Sequence, residues 1–179
     1  VNISGVCRLK LKNTRKGQRI VMQFGEIKGE KDQNGLTDRS EERGLDLRGF
    51  HYLPHEYNNR DVYICRGDDN EEWTPEFTYH GFRYCLVFGL DDDQVGDDTL
   101  TCLVMNTKLT ERAELYTSND MVNRIWDATK RSDLANFFHF PTDCPHREKN
   151  GWTGDAMLSA DQFMLLFDAE KNLSEWLVS

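Results

Sequence analysis

The chain has 179 residues, 38% of them hydrophobic with four Trp and ten Phe, which is enough apolar mass to pack one or two domains and too much for a disordered chain. A formal net charge of −9 and a pI near 5.0 argue against nucleic acid and anionic membrane surfaces as partners, because both would repel it. A neutral ligand fits better.

The first 110 residues read as β-structure. Cys7, Leu9 and Leu11 alternate with Arg8 and Lys10, Thr14-Arg15-Lys16-Gly17 makes a turn, and Ile20, Met22 and Phe24 again point one way, so a hairpin is predicted. A charged, glycine-containing connection follows from Gly29 to Arg48. Phe82, Tyr84, Leu86 and Phe88 alternate around Arg83 and Cys85, Asp91 to Asp98 is an acidic loop, and an apolar run from Leu100 to Met105 closes the region. Short strands separated by turns suggest an antiparallel β-sandwich.

After about Thr110 the period changes from two to that of a helix. Ser118 caps a predicted helix with Met121, Val122, Ile125, Trp126 and Thr129 on one face, continued less regularly by Leu134, Phe137 and Phe138. A second helix starts at Thr153 with Met157, Ala160, Met164 and Phe167 expected inside, and a third follows Asp168 with Leu173, Trp176 and Leu177. Strands followed by helices mean two domains, placed at residues 1–112 and 113–179. No internal repeat or low-complexity tract interrupts them.

No apolar run approaches the roughly 18 residues of a membrane span, and Val1-Asn2-Ile3-Ser4-Gly5 lacks the charged and apolar regions of a leader. Because there is no initiating Met and Trp176-Leu177-Val178-Ser179 falls within a predicted helix, the sequence is expected to be a piece of a longer protein. Its compartment stays open. The five cysteines, Cys7, Cys65, Cys85, Cys102 and Cys144, are an odd number without a Cys-x-x-Cys pair, which indicates neither a zinc ribbon nor a full disulfide framework.

Between the first two predicted helices runs Pro141-Thr142-Asp143-Cys144-Pro145-His146-Arg147-Glu148-Lys149-Asn150-Gly151-Trp152-Thr153-Gly154-Asp155. It collects three carboxylates, an arginine and a tryptophan. Carboxylates can protonate a leaving oxygen or bind hydroxyls, and an indole can stack on the C–H face of a sugar. The segment resembles the signature of the bacterial α-L-rhamnosidases, glycoside hydrolase family 78, in which Asp-Cys-Pro-x-Arg runs through a catalytic Glu into Gly-Trp-x-Gly-Asp. Pro75-Glu76-Phe77-Thr78-Tyr79-His80-Gly81-Phe82-Arg83-Tyr84 resembles a segment of the β-sandwich that precedes the catalytic barrel in that family.

The resemblance implies a β-sandwich followed by the first helices of a truncated (α/α)6 barrel, and an inverting, cofactor-independent release of terminal α-L-rhamnose from glycosides or polysaccharides. Carried over by position, it makes Glu148 the general acid, puts Asp143, Arg147 and Asp155 on sugar hydroxyls, and sets Trp152 against the apolar face of the deoxysugar. His146 stands where the family often has Gln, and the stretch from Arg147 to Gly151 is one residue shorter than in some members. The inverting base of the family lies much further along the barrel and has no match here, so the chain is expected to be inactive alone.

Each residue also has a plainer role. Asp155 falls in the first turn of a predicted helix, where the macrodipole favours an acid. Trp152 can be core, Arg147 and Glu148 an exposed ion pair, and Cys144 packing. His139, Asp143, His146 and Glu148 could be metal ligands, yet the Pro-Cys-x-x-Cys that a zinc deaminase needs is absent. The acidic loop has Val95 where a calcium loop wants Asp or Asn. Phe77, Tyr79 and Phe82 could form a sugar-binding strip, which makes a non-catalytic carbohydrate-binding sandwich the alternative reading.

Overall fold

The computed structural model describes residues 1–26 and 59–178. The predicted charged connection from Gly29 to Arg48 lies outside the described residues. The described chain falls into two compact units, Val1–Val104 and Met105–Ser179.

The first unit consists of strands β1 (Ile3–Lys12), β2 (Arg19–Gly25), β3 (Arg60–Ile64), β4 (Asn70–Trp73), β5 (His80–Phe82), β6 (Tyr84–Phe88) and β7 (Leu100–Val104). In one sheet β1 pairs antiparallel with β4, β5 and β7, and in the other β2 lies between β3 and β6. The predicted hairpin is therefore not one: β1 and β2 belong to different sheets. Each carries one apolar face, and two such faces bury more when stacked than when laid side by side. Cys7, Leu9 and Leu11 from β1 meet Ile20, Met22 and Phe24 from β2 in a single core with Cys65 and Phe82.

The predicted strand from Phe82 to Phe88 is likewise divided. Arg83 carries the chain from one sheet to the other, its N–H donating to the Gly25 carbonyl at 2.9 Å. Across that step the inward face changes parity. Phe82 packs in the core, but on β6 it is Cys85 and Val87 that touch it. A side chain's face follows from its own strand, and alternation counted across a corner gives the wrong set.

Buried polar groups join the two sheets. His80 on β5 stacks on Phe24 with ring centroids 4.3 Å apart, and its Nε2 lies 2.9 Å from Asp61 Oδ1 on β3. Glu71 on β4 is 3% exposed and accepts hydrogen bonds from Thr14 Oγ1, from Tyr63 Oη on β3 at 2.5 Å, and from the N–H groups of Arg66, Gly67 and Asp68 at 3.1, 2.9 and 3.0 Å. The acidic loop contains a 3-10 turn at Asp92–Gln94, from which buried Gln94 donates to the Lys12 carbonyl at 3.0 Å.

The second unit holds helices α1 (Asp120–Ala135), α2 (Thr153–Leu166) and α3 (Glu170–Leu177), with a two-stranded ladder of β8 (Phe137–Phe138) and β9 (Phe140–Pro141). Asn119, not Ser118, caps α1, accepting from Met121 N–H at 3.0 Å. Phe137 and Phe138 do not extend α1. His139 takes a φ of +70° and turns the chain back, so that Phe138 pairs with Phe140 and Phe137 with Pro141.

The inner face of α2 also differs from the predicted one, except at its end, where Phe167 is fully buried as expected. Ala156, Phe163 and Leu166 are buried, with Phe163 edge-on to Phe137 at 5.2 Å, whereas Met157 is 74% exposed. Apolar residues occur all around this helix, so its periodicity does not select a side. The partner does: Phe137, Phe163, Leu166, Phe167, Ala169 and Leu173 form the core of the unit.

Candidate active site

The carboxylate-rich segment forms the loop between β9 and α2, and its own polar groups close it. Asp143 N–H donates to the Asn150 carbonyl at 3.0 Å while Asn150 N–H donates to Asp143 Oδ1 at 2.9 Å, so residues 143 and 150 are held together. Thr142 anchors the entry to the end of α1 through its N–H and hydroxyl, both donating to the Asn136 carbonyl, at 2.7 and 3.1 Å. Lys149 takes a φ of +57°, the left-handed turn that lets the chain double back toward Gly151.

Gly151 is required by packing. A Cβ there would lie 2.9 Å from Trp176 Nε1 and 3.0 Å from Phe140 Cδ2, and those two rings stack at 6.5 Å. The next residue, Trp152, leads into α2 with its indole 53% exposed. Neither Phe140 nor Trp176 was read from the sequence as part of the site. The glycine before Trp152 was the available signal.

Within this loop the structure brings Arg147, Glu148 and Trp152 together. Trp152 Nε1 donates to Glu148 Oε2 at 2.9 Å, and Arg147 Nη2 reaches Glu148 Oε1 at 3.4 Å. Both carboxylate oxygens thus face donors on a side chain that is 31% exposed. Arg147 Nε is buried and has no hydrogen-bond partner among the described residues.

Asp143 is differently placed. Its Oδ1 accepts from Asn150 N–H and its Oδ2 from the Cys144 thiol at 3.0 Å, so it closes the loop. Cys144 Sγ in turn accepts from Glu148 N–H at 3.4 Å. Burial, then the bond to Asp143, push the Cys144 thiol up, which keeps it protonated and makes it a poor nucleophile. Asp155 is exposed in the first turn of α2, and no hydrogen bond among the described residues ties its carboxylate to Glu148.

Among the described residues no group of three His, Cys, Asp or Glu side chains is arranged to hold a metal ion. Two apolar grooves flank α2: one of about 380 Å³ with Val122, Ile125, Trp126 and Leu165, and one of about 300 Å³ with Met157, Met164, Leu173 and Trp176. Glu148 lines neither. On the sandwich the three-ring strip does not form, since Phe82 is 2% exposed and Phe77 is 99% exposed.

Residues 1–106 match the family described as bacterial alpha-L-rhamnosidase concanavalin-like domain, and residues 110–179 match the bacterial alpha-L-rhamnosidase 6 hairpin glycosidase domain. An alpha-L-rhamnosidase of Formosa agariphila is 36% identical over 106 residues, covering 59% of this chain and 11% of the relative. One from Streptomyces avermitilis is 34% identical over 119 residues, covering 66% of the chain and 12% of the relative. Among solved structures, a Streptomyces avermitilis alpha-L-rhamnosidase complexed with L-rhamnose superposes with a TM-score of 0.77 at 27% identity, over 99% of this chain and 16% of that one. An alpha-L-rhamnosidase from Dictyoglumus thermophilum gives 0.73 at 30% identity, over 94% and 17%. The chain therefore spans a small fraction of the length of the relatives it matches.

Proposed function

This chain belongs to the bacterial α-L-rhamnosidases, and from that premise we propose that its loop 143–155 supplies the general acid of a glycosidase that releases terminal α-L-rhamnose by inversion. The observation that carries the proposal is the partly exposed Glu148 carboxylate, held from below by the Trp152 indole N–H at 2.9 Å.

A general acid must present an O–H to the leaving oxygen. Trp152 holds Oε2 as an acceptor, which leaves Oε1, where the Arg147 contact is the longer at 3.4 Å, as the oxygen turned to the leaving group. When Oε1 is protonated, Arg147 turns to another acceptor. The Arg147 side chain is 41% exposed, and a rhamnose hydroxyl supplies that acceptor. Trp152 serves both as donor to Glu148 and, through its exposed face, as a wall for the apolar side of the sugar. Asp155, exposed at the start of α2, accepts from a sugar hydroxyl, and Asp143 acts through the loop it closes.

Inversion needs a second carboxylate about 6.5–9.5 Å from the first with water between them. We place that base outside these 179 residues, in keeping with the small share of its relatives that the chain spans. The helical unit by itself leaves apolar residues exposed on α2, among them Met157 and Leu158, as in helices that are covered on all sides within a larger domain.

The test uses the longest open reading frame that contains the chain. With 4-nitrophenyl α-L-rhamnopyranoside, the enzyme should release β-rhamnose as the first anomer seen by NMR, and Glu148→Gln should lose roughly 10²–10⁴-fold in kcat on a substrate with a poor leaving group. Near-normal turnover of the poor-leaving-group substrate by the variant, or α-rhamnose as first product, would overturn the assignment. The 179-residue chain alone should show little or no hydrolysis.

A further inference from the structure

Three of the cysteines meet in the first unit. Cys7 lies fully buried on β1, Cys102 stands exposed on β7 of the same sheet, and Cys85 is on β6 of the opposite sheet. All are free thiols. Cys7 and Cys102 are directly opposed partners in the antiparallel ladder, and their sulfurs are 3.5 Å apart although 95 positions separate them in sequence.

Directly opposed Cα atoms in such a ladder lie about 4.5–5.5 Å apart, inside the roughly 4.4–6.8 Å that a disulfide spans. The sulfurs need only close from contact to bonding distance. The strands are also unusually close beside the pair, because the Leu103 carbonyl oxygen sits 2.0 Å from where a Cβ on Gly5 would be. Cys85 also touches Cys7, but from the facing sheet. Facing sheets stand about 10 Å apart, and Cα atoms more than about 7 Å apart cannot be bridged without moving the backbone.

We propose that Cys7 and Cys102 form a reversible disulfide site whose oxidant is a low-molecular-weight disulfide such as oxidised glutathione, and that the bridge staples β7 to β1, its only ladder partner among the described residues. The exposed Cys102 is the entry point. Its thiolate attacks one glutathione sulfur, the glutathione S–S bond breaks, and the departing glutathione thiolate takes up a proton equal to the one Cys102 gave. Cys7, deprotonated in turn, attacks Cys102 Sγ and expels the second glutathione. Two thiols lose two electrons and two protons, and one oxidised glutathione becomes two reduced ones.

The rate should depend on pH. Partial enclosure of its sulfur, then the neighbouring Cys7, push the Cys102 thiol up to about 11, while contact with Cys85 and burial raise Cys7 further. The attacking thiolate is thus scarce at neutral pH, and exchange should accelerate about tenfold per pH unit through the mildly alkaline range.

The experiment incubates the 179-residue chain with oxidised glutathione at mildly alkaline pH, alkylates remaining thiols, and maps cross-links by mass spectrometry beside a melting curve. Expected are a Cys7–Cys102 peptide pair, three alkylated cysteines, a rise in the melting midpoint of the first unit of roughly 10 °C, and reversal by a dithiol. Cys85→Ser should behave the same, and Cys102→Ser, altered at an exposed position, should stay fully alkylatable and melt at the unoxidised temperature. Persistent glutathione on Cys102, a bridge to Cys85 or Cys65, or five alkylatable thiols after prolonged exposure would overturn the proposal.

Discussion

Replacing Glu71 tests how the sandwich is held together at one end. Its carboxylate accepts from Thr14 after β1, from Tyr63 on β3, and from three N–H groups of the turn before β4, so it ties both sheets to one turn. Burial by itself pushes the Glu71 carboxyl up, but the bonds from Thr14, Tyr63, Asp68 and Arg66 outweigh it and hold the group well below the usual carboxylate range. The same contact, after burial, pushes the Tyr63 phenol up to about 12. In Glu71→Gln one oxygen still accepts, while the amide nitrogen confronts donors.

Hydrogen bonds to charged groups are worth roughly 1.5–3 kcal/mol each and do not add, so the loss should be about 3 kcal/mol, a large part of the ~5–15 kcal/mol of a typical domain. Urea unfolding of the 179-residue chain, with amide exchange followed on peptides from β1 to β4, measures it. Because the folded carboxyl is held low, its contribution is complete above the unfolded value near 4.3 and is lost as pH falls further. Wild type should therefore lose more stability between pH 5 and pH 2 than Glu71→Gln does. Equal stability of the two at pH 7, or parallel acid slopes, would refute the reasoning.

Two further changes probe the helical unit. Burial pushes the Asp133 carboxyl up to about 6 against the hydrogen bond from Gln162, and its Oδ2 is buried with no partner among the described residues. Stability contributed by its protonated form is complete below about 3.9 and disappears as pH rises through about 6, so Asp133→Asn should stabilise the unit at pH 7.5 by on the order of 1–2 kcal/mol and change little at pH 4, as read by urea midpoints. Gly151→Ala must displace Trp176 or Phe140, at a cost of about 1–3 kcal/mol, and should lower both the melting temperature and the rate of the longer enzyme. Unchanged melting would show that the ring pair yields freely.

Alternation and period fixed the kinds of elements that form, strands first and helices after, and the string from Asp143 to Asp155 pointed to carbohydrate chemistry from residue types and order alone. Both are local properties, carried by neighbours in the chain. Sequence did not show that β1 and β2 stack in opposite sheets, that the inward face changes parity at Arg83, or that α2 turns Phe163 to the core in place of Met157. Nor did it show that the Glu148 carboxylate rests between Trp152 and Arg147 while Asp143 is engaged in closing the loop. An apolar face records only that it must be covered, and a polar side chain only that it must be paired. Which partner does the covering and the pairing is decided where distant segments meet.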